Sequence, residues 1–240
     1  MVKPVYRRVL LKLSGEALLG KEVSGIDREM ARAICGEIAE VRRLGVQVAL
    51  VVGGGNFLRG EALSQRGISR VTGDAMGMIA TIMNGLALRD LFEKEGLPAR
   101  VQSAVLMPQV VEPVNPETAR KHLEENRVVI FTGGTGNPFF STDTAAALRA
   151  LEIGADVLLK ATKVDGVFDR DPVKFTDARR FDQITYGDVL EKNLRVMDQT
   201  AVALCRENRL PVVVFNMGKK GNIRRVVCGE PTGTIIGGEP

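Results

Sequence analysis

Apolar residues along the chain alternate between short unbroken runs and runs spaced three to four apart. Residues 5–13 and 46–52 are of the first kind, the second run continuous enough for a strand buried on both faces. Between them Asp27, a good helix cap, precedes Met30, Ile34, Ile38, Val41 and Leu44 at helical spacing until Gly45 stops them. Met78, Ile82, Leu86 and Leu91 predict a second helix from Asp74 to Gly96. Residues 99–114 are apolar but broken by Pro108 and Pro113, which predicts short strands or a hairpin. A short helix over 117–125, a buried strand over 128–131 and a helix capped by Ser141 and ending at Gly154 follow. The remainder reads as a strand over 156–161, an acidic loop carrying Asp165, Asp169 and Asp171, a helix over 197–207 and a strand over 211–215. A small basic segment and a last strand over 234–236 close the pattern.

This alternation predicts an α/β fold around a mostly parallel sheet. No linker, low-complexity stretch or repeat divides the sequence, so one domain over residues 1–240 is expected, with room for two lobes.

Composition narrows the chemistry. With 240 residues, 45% hydrophobic and 26% charged, the chain matches an ordinary globular protein and can bury a core without staples. Cys35, Cys205 and Cys228 are too few and too scattered for a disulfide framework or a CxxC metal site. A single histidine, His122, excludes a His-rich zinc cluster, argues against a Ser-His-Asp triad and reads as a surface residue. No unbroken apolar run approaches the roughly 18 residues of a membrane span. Tyr6-Arg7-Arg8 before Val9-Leu10-Leu11 makes a poor signal peptide, because Lys12 cuts the run and no small-residue cleavage site follows. Reduced cysteines then point to the cytoplasm. A net charge of +4 suits a small anionic substrate as well as nucleic acid, and two tyrosines with no tryptophan leave little for base stacking.

Three predicted strands end in glycine or a cation: Lys12-Leu13-Ser14-Gly15, Gly53-Gly54-Gly55-Asn56 and Thr132-Gly133-Gly134-Thr135-Gly136-Asn137. Ligands of an open parallel sheet bind beyond the carboxyl ends of its strands, so these turns are expected to meet at one crevice. Glycine lets backbone N–H groups approach an anion, and nearby helix amino ends add partial positive charge. One such turn would mean only that strand-to-helix turns favour glycine; three on one edge point to phosphate. Gly15 to Lys21 matches GxxxxGK, but Glu22 stands where a P-loop needs Ser or Thr, and Glu16 adds unwanted negative charge. Gly134-Thr135-Gly136 is a partial GxGxxG with Phe139 in the third glycine's place, and Asp156 begins a strand where a Rossmann acid should end one.

Lys12, near the end of an apolar strand, reads either as a cation for a transferring phosphoryl group or as an edge-strand guard against aggregation. Lys160 takes the same two readings. Arg59 is a phosphate clamp or a surface arginine. Asp143, in the first turn of its helix, complements the dipole or organises the two lysines. Asp74 is a helix cap or a ribose-hydroxyl ligand. Met76, Met78 and Met83 read as core, and Lys219, Lys220, Arg224 and Arg225 as a solvated helix face rather than a nucleic-acid patch.

Taken in order, Leu10-Leu11-Lys12-Leu13-Ser14-Gly15-Glu16, Val52-Gly53-Gly54-Gly55-Asn56, Arg59-Gly60 and Thr72-Gly73-Asp74-Ala75-Met76-Gly77-Met78 resemble the amino acid kinase family. The Gly134 to Asp143 block and the run from Leu159 to Phe168 narrow the resemblance to the bacterial, UMP-phosphorylating branch, over essentially the whole chain; Val214 to Met217 fits as well. The resemblance implies a three-layer αβα sandwich and transfer of the ATP γ-phosphoryl group to UMP in pyrimidine nucleotide synthesis. It implies ATP contacts at Lys12, Leu13, Ser14, Gly15, Gly55, Arg59, Thr162, Phe168 and Asp171. It implies UMP contacts at Gly54, Asp74, Thr135, Gly136, Asn137, Pro138, Phe139, Phe140, Ser141 and Thr142. Lys12, Arg59, Asp143 and Lys160 would carry the catalysis, with Asp143 orienting the two lysines. Phe168 stands where the family often has tyrosine, keeping a stacking surface without the hydroxyl. The resemblance further implies Mg2+ on the ATP phosphates, a homohexamer, and GTP and UTP as effectors, residues 20–25 being tied to the GTP response in some members. Rival readings are a kinase of this fold acting on a small carboxylate, a non-catalytic nucleotide-binding oligomer, and a nucleic-acid binder.

Overall fold

Strand β1 (Arg8–Leu13) is flanked on both sides by parallel neighbours, and that places it at the centre of the molecule. The computed structural model describes residues 3–58, 67–194 and 196–237. After β1 come a 3-10 turn (Gly15–Leu18), α1 (Arg28–Arg43), β2 (Gln47–Val52), α2 (Arg70–Lys94) and β3 (Ala99–Ser103). Then follow β4 (Glu112–Pro113), α3 (Pro116–Glu124), β5 (Val128–Thr132), α4 (Thr142–Ile153) and β6 (Val157–Thr162). The chain continues through β7 (Gln183–Ile184), α5 (Tyr186–Glu191), α6 (Gln199–Glu207), β8 (Val212–Asn216), α7 (Asn222–Val227) and β9 (Thr234–Ile236).

Among the described residues the strands form one nine-stranded sheet in the order β4-β3-β5-β2-β1-β6-β8-β9-β7. All pairs are parallel except β8 with β9. Side chains alternate across the sheet, and the two faces have separate cores. Val9, Leu11 and Leu13 of β1, with Val48, Leu50 and Val52 of β2, pack under Ile34 and Ile38 of α1, Leu88 and Phe92 of α2 and Ile223 of α7. Leu10 of β1 and Leu158 of β6 face the other way, into Ala146, Ala147 and Ala150 of α4 and Ala201 and Cys205 of α6. Lys12 and Lys160 share the parity of Leu10 and Leu158, so both aim at the α4 layer. The expected αβα sandwich is the fold found.

The sequence-derived boundaries need several corrections. The first strand starts at Arg8, not residue 5, because pairing begins opposite Gln47; Val5 instead donates its N–H to the Val227 carbonyl. Helix α2 starts four residues before Asp74, capped by the Ser69 hydroxyl on the Thr72 N–H. Asp74 is therefore not a cap. No hairpin forms over 99–114: β3 and β4 pair in parallel, with Pro113 on the edge strand where its missing N–H is tolerated. β7 and α5, carrying little apolar pattern of their own, escaped the sequence reading. His122 is buried, with Nε2 3.1 Å from Glu112 and Nδ1 3.0 Å from Arg127. The three methionines of α2 are not core: Met76 and Met78 are half-buried and Met83 is exposed.

The basic segment near the carboxyl end is helix α7, with Arg224 and Arg225 on its solvated side. Its amino end receives the Glu37 carboxylate of α1, which accepts the N–H groups of Gly221 (2.6 Å) and Ile223 (3.3 Å), a favourable place for negative charge. By length and composition α2 is apolar enough to cross a membrane. Its Ile82, Leu88 and Phe92 are buried against the sheet.

Candidate active site

The carboxyl ends of β1 and β6 place two lysines side by side: Lys12 and Lys160 are partners in the ladder. Both strands are interior to the sheet, so neither lysine guards an edge. The Ser141 hydroxyl caps α4 by accepting the N–H groups of Asp143 (2.9 Å) and Thr144 (3.3 Å), and this sets Asp143 over the lysines. Lys160 Nζ donates to Asp143 Oδ2 at 2.6 Å and also to the Val196 carbonyl. Lys12 Nζ lies 2.8 Å from the other oxygen, Oδ1, as an ion pair. All three side chains are only 12–13% exposed.

Burial alone would raise the Asp143 carboxyl, but the Lys12 and Lys160 ammonium groups outweigh it and hold it below the usual carboxylate value. Burial pulls Lys160 below the ordinary lysine value, against the opposing pull of Asp143. One carboxylate thus keeps two desolvated cations together, leaving the group with a net positive charge. Asp198, missed in the sequence, braces the arrangement: it caps α6 through the Ala201 N–H (2.9 Å), accepts the Thr144 hydroxyl (2.9 Å) and also receives the Ser141 hydroxyl.

The glycine turns pack on one another. A Cβ at Gly15 would lie 2.5 Å from Gly55 N and 2.8 Å from Gly53 O, and one at Gly54 would lie 2.8 Å from the Gly77 carbonyl of α2. Gly133 adopts φ 74°, where a side chain is strained. Helix α2 ties the turns down through polar side chains on its inner face. Thr81 Oγ1 accepts the Gly133 N–H at 2.7 Å, Asn84 Nδ2 donates to the Gly53 carbonyl at 2.7 Å, and Asp74 Oδ2 accepts the Phe139 N–H at 2.7 Å. Polar residues on the buried face of an apolar helix were the signal available for Thr81 and Asn84.

Two cavities collect residues singled out in the sequence. The larger, about 470 Å³, lies beyond β6 and β8 and is lined by Thr162, Gly166, Phe168, Asp171, Lys192 and Val196. An adjoining hollow of about 380 Å³ shares Asn193, Leu194 and Val196 with it and reaches Lys160, Asp143 and Asp198. The smaller cavity, about 170 Å³, lies under α2 and is lined by Gly54, Gly55, Asp74, Thr135, Phe140 and Thr142, with Asn137 at its rim.

Of the residues singled out in the sequence, Lys12, Asp143 and Lys160 meet in space. Arg59 lies outside the described residues. Leu13 is buried in the α1-side core, so only its backbone is at hand, and Ser14 and Gly15 follow it in the turn. Gly55 lines the smaller cavity, beside Gly54, rather than the larger. The Thr162 hydroxyl donates to the Val164 carbonyl at 2.7 Å, and Asp171 accepts the Val173 N–H at 2.9 Å. Gly136 packs on Ala104, and Pro138 is half-buried. Phe139 is 65% exposed at φ 72°, its ring 5.7 Å from the Arg70 guanidinium; Arg70 in turn holds Asp74 at 2.8 Å.

A sequence model of the amino acid kinase family matches residues 7–216. The uridylate kinase of Legionella pneumophila strain Corby is 56% identical over 97% of this chain and 94% of its own length. Among solved structures, the UMP kinase of Bacillus anthracis superposes with a TM-score of 0.95 at 38% identity, covering 98% of this chain and 97% of that one. The UMP kinase of Ureaplasma parvum gives 0.92 at 35% identity, covering 99% of this chain and all of the other. With strand-tip cations, glycine turns and whole-chain similarity in agreement, the chain belongs to the amino acid kinase family, in its uridylate kinase branch.

Proposed function

We propose that the chain transfers the γ-phosphoryl group of ATP to the phosphate of UMP, giving ADP and UDP, with the larger cavity taking ATP and the smaller UMP. One observation carries the assignment of the site: a single carboxylate, Asp143, holds two strand-tip ammonium groups, and Asp143 and Lys160 line the hollow that adjoins the larger cavity.

The chemistry asks for little else. The second pKa of a phosphate monoester is near 6, so at neutral pH the attacking oxygen of UMP is largely ionised and needs no general base. The protein must bring two anions end to end and offset their repulsion, which is what phosphoryl transfer requires of it. Lys12 and Lys160 supply positive charge, backbone N–H groups of the glycine turns supply directed donors, and Asp143 keeps both cations in place. Asp74 suits a ribose hydroxyl, and Thr135, Asn137 and the backbone around them suit a uracil edge. A small carboxylate acceptor is not favoured by the relatives or by this lining.

No group of three or more His, Cys, Asp or Glu that could hold a metal occurs among the described residues. The site fits Mg2+ brought in on the ATP phosphates rather than a resident ion, as is usual for nucleotide enzymes. Bound there, the ion would neutralise phosphate charge.

We further propose a homo-oligomer, a hexamer by resemblance, supported by Ile79 and Met83 standing exposed on the outer side of α2. GTP and UTP are proposed effectors. Free, buried cysteines support a cytoplasmic setting, and the continuous sheet supports a single domain, testable as one unfolding transition. An ADP-release assay offering UMP, CMP and small carboxylic acids, with and without EDTA, GTP and UTP, tests the function. UMP-dependent, EDTA-sensitive turnover is expected; turnover with a carboxylic acid alone would overturn it. Light scattering reads the oligomer.

A further inference from the structure

Asn56, at the end of the glycine turn after β2, and Asn84, in the middle of α2, are 2% and 0% exposed. Their carboxamides pair face to face, Asn56 Nδ2 donating to Asn84 Oδ1 at 2.8 Å and Asn84 Nδ2 to Asn56 Oδ1 at 2.7 Å. The second hydrogen of each amide goes to backbone. Asn84 reaches the Gly53 carbonyl at 2.7 Å, and Asn56 reaches the Gly25 carbonyl at 2.9 Å. All four N–H bonds are spent. The Asn56 carbonyl also accepts the Ser24 hydroxyl and the Gly25 N–H, each at 3.1 Å. Gly15 completes the packing, since a Cβ there would lie 2.6 Å from Asn56 Oδ1.

Buried amides cost stability unless fully paired, and a fully paired network rigidifies its surroundings. What this pair fixes is the Gly53-Gly54-Gly55 turn. The Gly53 carbonyl is tied to α2, whereas the N–H groups of Gly54 and Gly55 have no protein partner among the described residues and both glycines line the smaller cavity. Free donors on a turn whose acceptor is held suit an anion whose charge is changing. We propose that Asn56 and Asn84 are positioning residues for phosphoryl transfer: through the Gly53 carbonyl they hold the turn so that its free N–H groups meet the reacting phosphate. The inference rests on the transfer reaction proposed above. Neither asparagine touches substrate, so the effect falls on geometry more than on affinity.

The test is steady-state kinetics of Asn56→Ala, Asn84→Ala and the double variant, measured well below each thermal midpoint. As a control, Gln102→Leu removes another fully buried amide, one that bonds Asn115 N–H and Glu112 at the sheet edge. Sub-ångström loosening of a reacting group predicts kcat down about 10- to 100-fold with both KM values within about threefold. Because the two amides act as one unit, the double variant should be no slower than the worse single one. The control should lose thermal stability and keep kcat. If Asn84→Ala does not fold, Asn56→Ala, which spares the helix, decides alone. Unchanged kcat in folded variants, or losses that multiply, would overturn the proposal while wild-type turnover keeps the function standing. A wild type silent with UMP would overturn both.

Discussion

Lys12 and Lys160 stand opposite each other on neighbouring parallel strands, and each lies within 2.8 Å of a different oxygen of Asp143. Two ammonium groups this deep repel, and the carboxylate between them offsets that repulsion and aims both the same way. Asp143→Asn leaves two uncompensated buried cations. Removing one partner of a buried ion pair costs about 3–5 kcal/mol, and losing an electrostatic element of a transfer site costs on the order of 100-fold in kcat. We expect both losses together, by thermal unfolding and by ADP release. Near-normal turnover in a folded Asp143→Asn enzyme would remove Asp143 from the mechanism.

Lys12→Ala separates charge stabilisation from binding. Lys12 pairs with Asp143 and is not among the residues lining the smaller cavity proposed for UMP, so its ammonium matters most when charge shifts between phosphates. Turnover should fall on the order of 100-fold while the KM for UMP moves far less. A change confined to KM would make Lys12 an affinity residue.

Much of this is legible in the sequence, for physical reasons. Strands such as 46–52 and 128–131 are apolar on both faces because helices cover both, and their glycine ends marked one edge of the sheet. Ser141 announced α4 because a hydroxyl cap has a local signature. What stayed hidden is non-local. Asp198 falls inside the helix expected over 197–207, whereas it caps a helix that starts at Gln199 and meets Thr144 and Ser141 from another helix. Asn84 is one polar letter in an apolar helix until Asn56 meets it. Asp74 looked able to start α2, yet Ser69, with its hydroxyl on the Thr72 N–H, wins the cap. His122 looked solvated because its partners Glu112 and Arg127 lie on separate elements.

The Lys160 ammonium is displaced downward by burial, so it gives up its proton at lower pH than a free lysine near 10.5. The wild-type kcat profile should therefore fall on its alkaline side below that value. Lys160→Arg, whose guanidinium stays charged, should lack this limb if the variant turns over. Asp143 acts at the other end. Its folded-state pKa is depressed, so its contribution to stability is present above about 3.8 and is lost as pH falls through the lower folded value. Urea unfolding over a series of acid pH values should show the Asp143→Asn deficit relative to wild type shrinking as pH falls below about 3.8.

Asp74 accepts the Phe139 N–H and two contacts from Arg70, and it lines the smaller cavity, proposed for UMP. Asp74→Asn keeps the size and weakens acceptance. A lost charge-assisted hydrogen bond of roughly 1.5–3 kcal/mol corresponds to a 10- to 150-fold higher KM for UMP. The KM for ATP should stay within a few-fold, because the larger cavity is built from other elements. Equal rises in both would show that Asp74 acts through the fold and not through the acceptor.

Gly15 and Gly36 make opposite predictions from the same substitution. Gly36 lies on the exposed side of α1, where an added Cβ would meet nothing within 4 Å, so Gly36→Ala removes backbone freedom from the unfolded chain and should stabilise by about 0.5–1 kcal/mol. At Gly15 the same methyl would press on Gly55 N, Asn56 Oδ1 and the Gly53 carbonyl, two of them backbone atoms that cannot swing aside. Overpacking of this kind costs typically about 1–3 kcal/mol. The strain enters through the turn whose Gly54 and Gly55 line the smaller cavity, so Gly15→Ala should also lower kcat, whereas Gly36→Ala should leave it unchanged. Thermal midpoints and turnover of the two variants, side by side, check the contrast; a Gly15→Ala enzyme as stable and as fast as wild type would mean that the turns after β1 and β2 have room to part.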